Sequence, residues 1–187
     1  MTLYNSIGED YNATRQADER IVAKLISLLD LPPGSTIADI GAGTGNYSNA
    51  IAQQGYQVIA IEPSEVMQSQ QQFHPHVSWI TASAEQIPLA DNAVDGAVVM
   101  LALHHFNDLD AGLREITRIT KSGKIVIFAF EQAKIADFWL TDYFPYFIQD
   151  TLATFPSIQK IAHLIYQITH RETAIVPFLL PSNLSDL

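Results

Sequence analysis

The chain has 187 residues, 48% of them apolar and 16% charged, with 20 acidic against 10 basic side chains and no cysteine. That length fits one domain with a buried core. The net charge of −10, without a basic run, argues against nucleic acid and anionic lipid as partners, since both are bound through Lys and Arg. The lack of cysteine removes disulfides, thiolate metal sites and a sulfur nucleophile. The polar start and the absence of an apolar run of roughly 20 residues make a cytoplasmic protein without a membrane span the expectation.

In chain order, residues 1–17 read as a polar N-terminal arm. From Asp18, a plausible N-cap, Ile21, Val22, Leu25, Ile26, Leu28 and Leu29 recur at helical spacing until Pro32-Pro33-Gly34. Thr36–Ile40 predicts strand one, which runs into Gly41-Ala42-Gly43-Thr44-Gly45 and then a helix over about 46–54. Gln57–Glu62 predicts strand two, followed by a helix over about 64–72 and a third strand over 77–81. After a loop over 84–92, the near-continuous apolar run 94–101 reads as a central parallel strand covered on both faces. A helix over 109–119, with Leu113, Ile116 and Ile119 on one face, leads to a fifth strand over 124–130. Strands alternating with helices predict an α/β fold: a Rossmann-like, doubly wound parallel sheet with right-handed crossovers.

Residues 131–172 are rich in aromatics and divided by Pro145 and Pro156, and are expected to form a helical cap in which Trp139 and Tyr143 line a pocket. Residues 173–180 read as one more strand, confined to an edge by Pro177. The division is one domain over 1–187, with a cofactor-binding core at 18–130.

In an open parallel sheet, ligands bind at the carboxyl ends of the strands. Strand one ends in three alternating glycines, and Glu62 stands 21 residues after Gly41, at the end of strand two. A carboxylate there can accept hydrogen bonds from a ribose diol, and a glycine turn before a helix leaves backbone N–H groups open to a ligand. The dinucleotide fingerprint needs a third glycine where Asn46 stands. Asp39, two residues before the loop, would repel pyrophosphate and welcome an ammonium group. A nucleoside with an amino-acid end fits that charge.

These residues resemble the class I S-adenosylmethionine-dependent methyltransferases, in particular the small-molecule group that includes ubiquinone- and biotin-pathway enzymes. Asp39 to Gly45 is similar to the family's first motif. That resemblance implies that Asp39, Gly41, Ala42, Gly43 and Gly45 surround the methionine end of the cofactor. It also implies that Glu62 holds the ribose hydroxyls, with Pro63-Ser64 as the turn after it. Ser83, Ala84 and Glu85 match the adenine loop, and Leu101 the end of strand four. The resemblance further implies that the His104-His105 pair that follows faces the reacting methyl. Tyr11 and Arg15 match an arm that folds over the cofactor, where Arg15 could meet the methionine carboxylate. S-adenosylhomocysteine is the implied product. The motif of amino-directed nucleic-acid methyltransferases is absent after strand four. The family fold has seven strands, and no residues remain here for the seventh, so a truncated chain with an open strand-five edge, and a homodimer through it, are expected.

His104 and His105 are the candidate bases, because histidine titrates near neutral pH, and His105 is favoured as the one lining the pocket. Each competes with an ordinary role, one packing under the cap and the other capping a strand end. Adjacent residues at a strand end would point to opposite sides, so no metal site is expected. The expected activity is methyl transfer to a small molecule. The alternatives are a non-catalytic cofactor-binding domain and an NAD(P)-dependent oxidoreductase.

Overall fold

A computed structural model describes residues 17–121, 123–131 and 154–178. Helix α1 (Glu19–Leu29) starts at Asp18, whose carboxylate accepts from the Arg20 N–H, and buries Ile21, Val22, Leu25 and Leu29. Strand β1 (Thr36–Ile40) is followed by α2 (Asn46–Gln53), β2 (Gln57–Ile61) and the short α3 (Glu65–Gln68). Then come β3 (Val77–Ile80), β4 (Gly96–Met100), a 3₁₀ turn at Leu103–His105, α4 (Leu109–Ile119), β5 (Ile125–Phe128) and α5 (Ile158–Thr169). Side-chain caps from Ser64, Asp108 and Ser157 satisfy the first N–H groups of α3, α4 and α5.

The strands form one parallel sheet in the order β3-β2-β1-β4-β5. The order reverses beside β1, so the carboxyl ends of β1, β2 and β4 surround the crevice where such sheets bind ligands. Apolar residues alternate to both faces. Ile37, Ile51, Val58 and Val98 pack with Leu29 on one face. Ile40, Ile61, Val99, Leu113, Ile116 and Ile119 form the core on the other. A carboxylate pins the far end of the sheet: Asp95 accepts from the Thr36 N–H at 2.8 Å and from Lys121 Nζ at 2.9 Å.

Three elements differ from their sequence reading. Helix α3 spans one turn, and the chain turns through 69–76 instead of continuing the helix to 72. Residues 171–178 carry no regular secondary structure, so the described part of the expected 173–180 strand is not formed. Pro177 offers no N–H to a ladder. Of the expected cap, the described 158–169 helix lies on the sheet face: Ile161, Leu164, Ile165 and Ile168 join the core that α4 covers. The rest of that stretch, Trp139 and Tyr143 included, lies outside the described residues, as do Tyr11 and Arg15.

Candidate functional site

The glycine turn after β1 is tied to the end of β2. The Gly41 and Ala42 N–H groups both donate to the Ile61 carbonyl, at 2.8 and 3.1 Å. One residue on, the Glu62 carboxylate spans the gap, with Oε2 accepting from the Gly43 N–H and Oε1 from the Ser64 N–H, each at 2.9 Å. Glu62 is only 8% exposed, and each of its oxygens keeps lone-pair capacity for a further donor. It therefore shapes the loop as well as offering an acceptor. Gln68 steadies the same corner through the Glu62 carbonyl at 2.6 Å.

All three glycines have positive φ: 70° at Gly41, 59° at Gly43 and 80° at Gly45. Their surroundings differ. A Cβ on Gly41 would stand 2.6 Å from the Ala102 Cβ, and one on Gly45 the same distance from the Trp79 indole. Those two are bare because protein packs on them. A Cβ on Gly43 would meet only the Met67 methyl, at 3.5 Å, so this is where backbone is left open for a ligand. Trp79 and Met67 carry no signal in the sequence beyond ordinary core residues.

Asp39 is fully buried. Its Oδ2 accepts from the Ser48 hydroxyl at 2.6 Å, while its Oδ1 has no hydrogen-bond partner among the described residues. Burial pushes the carboxyl up to about 6, opposed by the Ser48 hydrogen bond and assisted by the Glu62 charge. A buried orphan oxygen, a bare backbone cradle and a second carboxylate with spare lone pairs fit a ligand with an ammonium group and a diol.

Beyond β4, Leu101 takes φ 52°, a strained conformation for a branched side chain, with its N–H donated to the Phe128 carbonyl at 2.9 Å. The kink brings Ala102 under Gly41. His104 and His105 do not diverge as an extended strand end would require. They lie in the 3₁₀ turn with ring centroids 3.7 Å apart. His104 also stacks on Phe155, with centroids 3.9 Å apart, and borders a recess of about 10 Å³ formed with Leu101, Leu103, Phe128, Ala129 and Pro156. That recess has room for no more than a water. His105 is exposed and does not line it. Burial, then the neighbouring His105, hold the His104 imidazole down at about 4, and burial of the covered part of the otherwise exposed His105 ring lowers that imidazole as well. Among the described residues, no group of His, Asp and Glu is arranged to hold a metal ion.

The adenine-loop candidates are placed more mixedly. Ser83 is half-buried, and Pro63 is exposed beside Glu62. Ala84 turns its methyl into the core, where it would lie 3.6 Å from a Cβ on Gly112, so its side chain cannot flank a ring. Glu85 is engaged by protein: Oε1 accepts from the Asn107 and Asp108 N–H groups at 2.7 and 3.2 Å. Burial by itself raises that carboxyl, but these backbone donors and the Ser83 hydroxyl outweigh it and hold it below its usual range. The loop that follows is clamped by a residue the sequence did not single out. Arg118 donates to the carbonyls of Ile87 and Leu89, and pairs with Glu115 and Asp91. Glu115 in turn accepts from the Ile87 N–H at 2.9 Å.

Comparison with known proteins agrees with this geometry. Residues 38–128 match a family described as a methyltransferase domain. A solved Anabaena variabilis protein, described as a candidate methyltransferase from an antibiotic biosynthesis pathway, is 47% identical over 92% of this chain and 70% of its own, with a TM-score of 0.86.

The chain belongs to the class I S-adenosylmethionine-dependent methyltransferases.

Among curated relatives, the demethylmenaquinone methyltransferase of Corynebacterium urealyticum is 32% identical over 73% of this chain and 62% of its own length. A ubiquinone/menaquinone biosynthesis C-methyltransferase of Rubrivivax gelatinosus is 37% identical over 48% of this chain and 37% of its own. The chain thus spans less than two thirds of either curated relative. The fold alone is shared more widely: a [4+2]-cyclase is similar with a TM-score of 0.65 at 20% identity, covering 80% of this chain and 57% of its own. In the methyltransferase family the cofactor is S-adenosylmethionine, which carries an ammonium group and a ribose diol. Among the described residues, no helix is long and apolar enough to cross a membrane.

Proposed function

We propose that this chain transfers the methyl group of S-adenosylmethionine to a small-molecule acceptor. The observation that carries this reading is the bond from the Gly43 N–H to Glu62 Oε2, which joins the glycine turn and the ribose acid into one site beside the orphan oxygen of Asp39. When bound, the cofactor supplies a sulfonium whose methyl is already electrophilic. The work left to the chain is positioning, which can be worth roughly 7–11 kcal/mol. Glu62 holds the ribose diol, each hydrogen bond to its charge contributing roughly 1.5–3 kcal/mol. Asp39 holds the ammonium end, and Gly43 lets the backbone approach. Ser83 and the backbone of Ala84 border the adenine, Leu101 fixes the end of β4, and Tyr11 and Arg15 remain proposed as the arm over the cofactor.

His104, held near 4, is neutral at pH 7 and a feeble proton acceptor. Its proposed role is an aromatic, hydrogen-bonding wall, and His105 is the proton acceptor of the two where the acceptor requires one. The curated relatives are named for menaquinone and ubiquinone precursors, which supports an apolar, aromatic acceptor of the quinol type. The division into core, cap and C-terminal region is part of the same proposal, as is pairing of two copies through β5.

Calorimetric titration with S-adenosylmethionine, S-adenosylhomocysteine and NAD tests the cofactor, and transfer of labelled methyl to a demethylated quinol tests the reaction. Binding of the first two, loss of both in Glu62→Ala and silence with NAD are expected. NAD binding would overturn the reading. Binding without transfer to any small acceptor would favour a binding domain, a reading that the 10 Å³ recess beside His104 keeps in view.

A further inference from the structure

Ser48 and Asp39 are both completely buried, and they face each other across β1 and α2. A buried serine inside a helix commonly returns its proton to a carbonyl one turn back. Here the single hydroxyl proton goes instead to Asp39 Oδ2 at 2.6 Å, leaving Oδ1 as the unpaired oxygen among the described residues. We propose that Ser48 is a positioning residue for the amino-acid end of the cofactor: its hydroxyl fixes Asp39 through Oδ2 and leaves Oδ1 as the oxygen available to an ammonium group. This rests on S-adenosylmethionine being the ligand of the site.

The surroundings make the hydroxyl matter. The partners of Asp39 in the sheet are Ala60 and Val98, which bring no charge. On the sheet face that Ile37 shares with α2, the packed neighbours are the apolar Leu29, Ile51, Val58 and Val98. The charged neighbour among the described residues is Glu62, which disfavours ionisation of Asp39, as burial does. The Ser48 hydrogen bond is what opposes these two. Without it, Asp39 takes a proton at higher pH, and a protonated carboxyl no longer attracts a cation.

Two measurements on the full chain decide the matter. The first is S-adenosylmethionine affinity by calorimetry from pH 5 to pH 9 for wild type, Ser48→Ala, Asp39→Asn and the double variant. Wild-type affinity should fall as the pH drops through the Asp39 titration. In Ser48→Ala the fall should begin at higher pH: for a shift of one unit the loss relative to wild type is roughly twofold at pH 7, grows toward tenfold at pH 5, and disappears by pH 9. In the Asp39→Asn background, Ser48→Ala should have no further effect, whereas a merely structural serine would weaken binding in both backgrounds. The second is urea unfolding of the unliganded proteins over the same range. Ser48→Ala should lose more stability than wild type as the pH rises past the wild-type titration. Parallel affinity profiles for wild type and Ser48→Ala, or a loss of the same size in the Asp39→Asn background, overturn the role of Ser48. A shifted unfolding profile with no wild-type S-adenosylmethionine binding overturns the cofactor reading instead, and the positioning role with it.

Discussion

Gly43 and Gly45 share a positive φ but not a reason for it. At Gly45 a methyl would strike the Trp79 indole at 2.6 Å, so Gly45→Ala should lower both the melting temperature and S-adenosylmethionine affinity. At Gly43 the nearest atom is a flexible methionine methyl at 3.5 Å, so Gly43→Ala should cost only the roughly 1–2 kcal/mol of left-handed backbone in stability while abolishing binding. Paired thermal melts and titrations separate the two. The titrating groups act with opposite signs. Unfolded histidine takes its proton near 6.5, but folded His104 only near 4, so acid destabilises the fold as the pH falls through that interval. Asp39, raised from 3.8 to about 6, does the reverse and removes stability as the pH rises through its own interval. His104→Phe keeps the stack on Phe155 without the titration. Its urea midpoint should therefore drop less than that of wild type between pH 6.5 and pH 4.

At the scale of elements, the loop after β3 is held by α4 as well as by its own turns. Arg118 binds two carbonyls and two carboxylates at once, a pattern that requires a planar fork of donors. Its side chain is 30% exposed, so the ion pairs are partly screened and the carbonyl bonds carry much of the effect. Arg118→Ala should cost about 2 kcal/mol in denaturant unfolding, and Arg118→Lys should recover little of it. The 87–91 segment it holds directly follows Ser83 to Glu85, so both variants should also weaken S-adenosylmethionine binding. A stability loss with unchanged affinity would separate this clamp from the cofactor site. Glu85 links the same loop to the start of α4 just beyond the histidine turn, so the cofactor and acceptor sides share one support.

For the whole molecule, the sheet ends in β5 among the described residues, and all four of its side chains are half-buried. Beside it, α1, α5 and residues 171–178 border an open groove of about 620 Å³ with Leu25, Ile125, Val126 and Ile161 in its walls. None of the described cofactor residues reaches it. Among the described residues no strand pairs with the outer edge of β5, and such an edge beside apolar space favours pairing with another strand. Self-association in sedimentation velocity is expected, and with rising concentration the amides of β5 should gain hydrogen-exchange protection while those of β3 do not. Equal protection at both edges, or a concentration-independent monomer, would contradict pairing through β5.

The order of strands and helices, the capped start of α1, the glycine turn and the acid at the end of β2 were legible in the sequence. Each is written in local chemistry: alternation and periodicity for the elements, and bare backbone and a carboxylate at a set spacing for the site. The histidine turn was not legible, because adjacent residues diverge in a strand and converge in a 3₁₀ turn, and the strained Leu101 that selects the turn reads as ordinary strand. Nor were Trp79 against Gly45, Ser48 against Asp39 or Arg118 over the 87–91 loop. Each joins residues distant in sequence or on different elements, and the side chain gains its meaning only from what the sheet brings opposite it. The sequence determined the periodic elements and the chemistry of the loop. Tertiary structure decided which glycine keeps its backbone open, which carboxylates are already committed to backbone N–H groups and which oxygen has no partner among the described residues, because packing and desolvation act between elements.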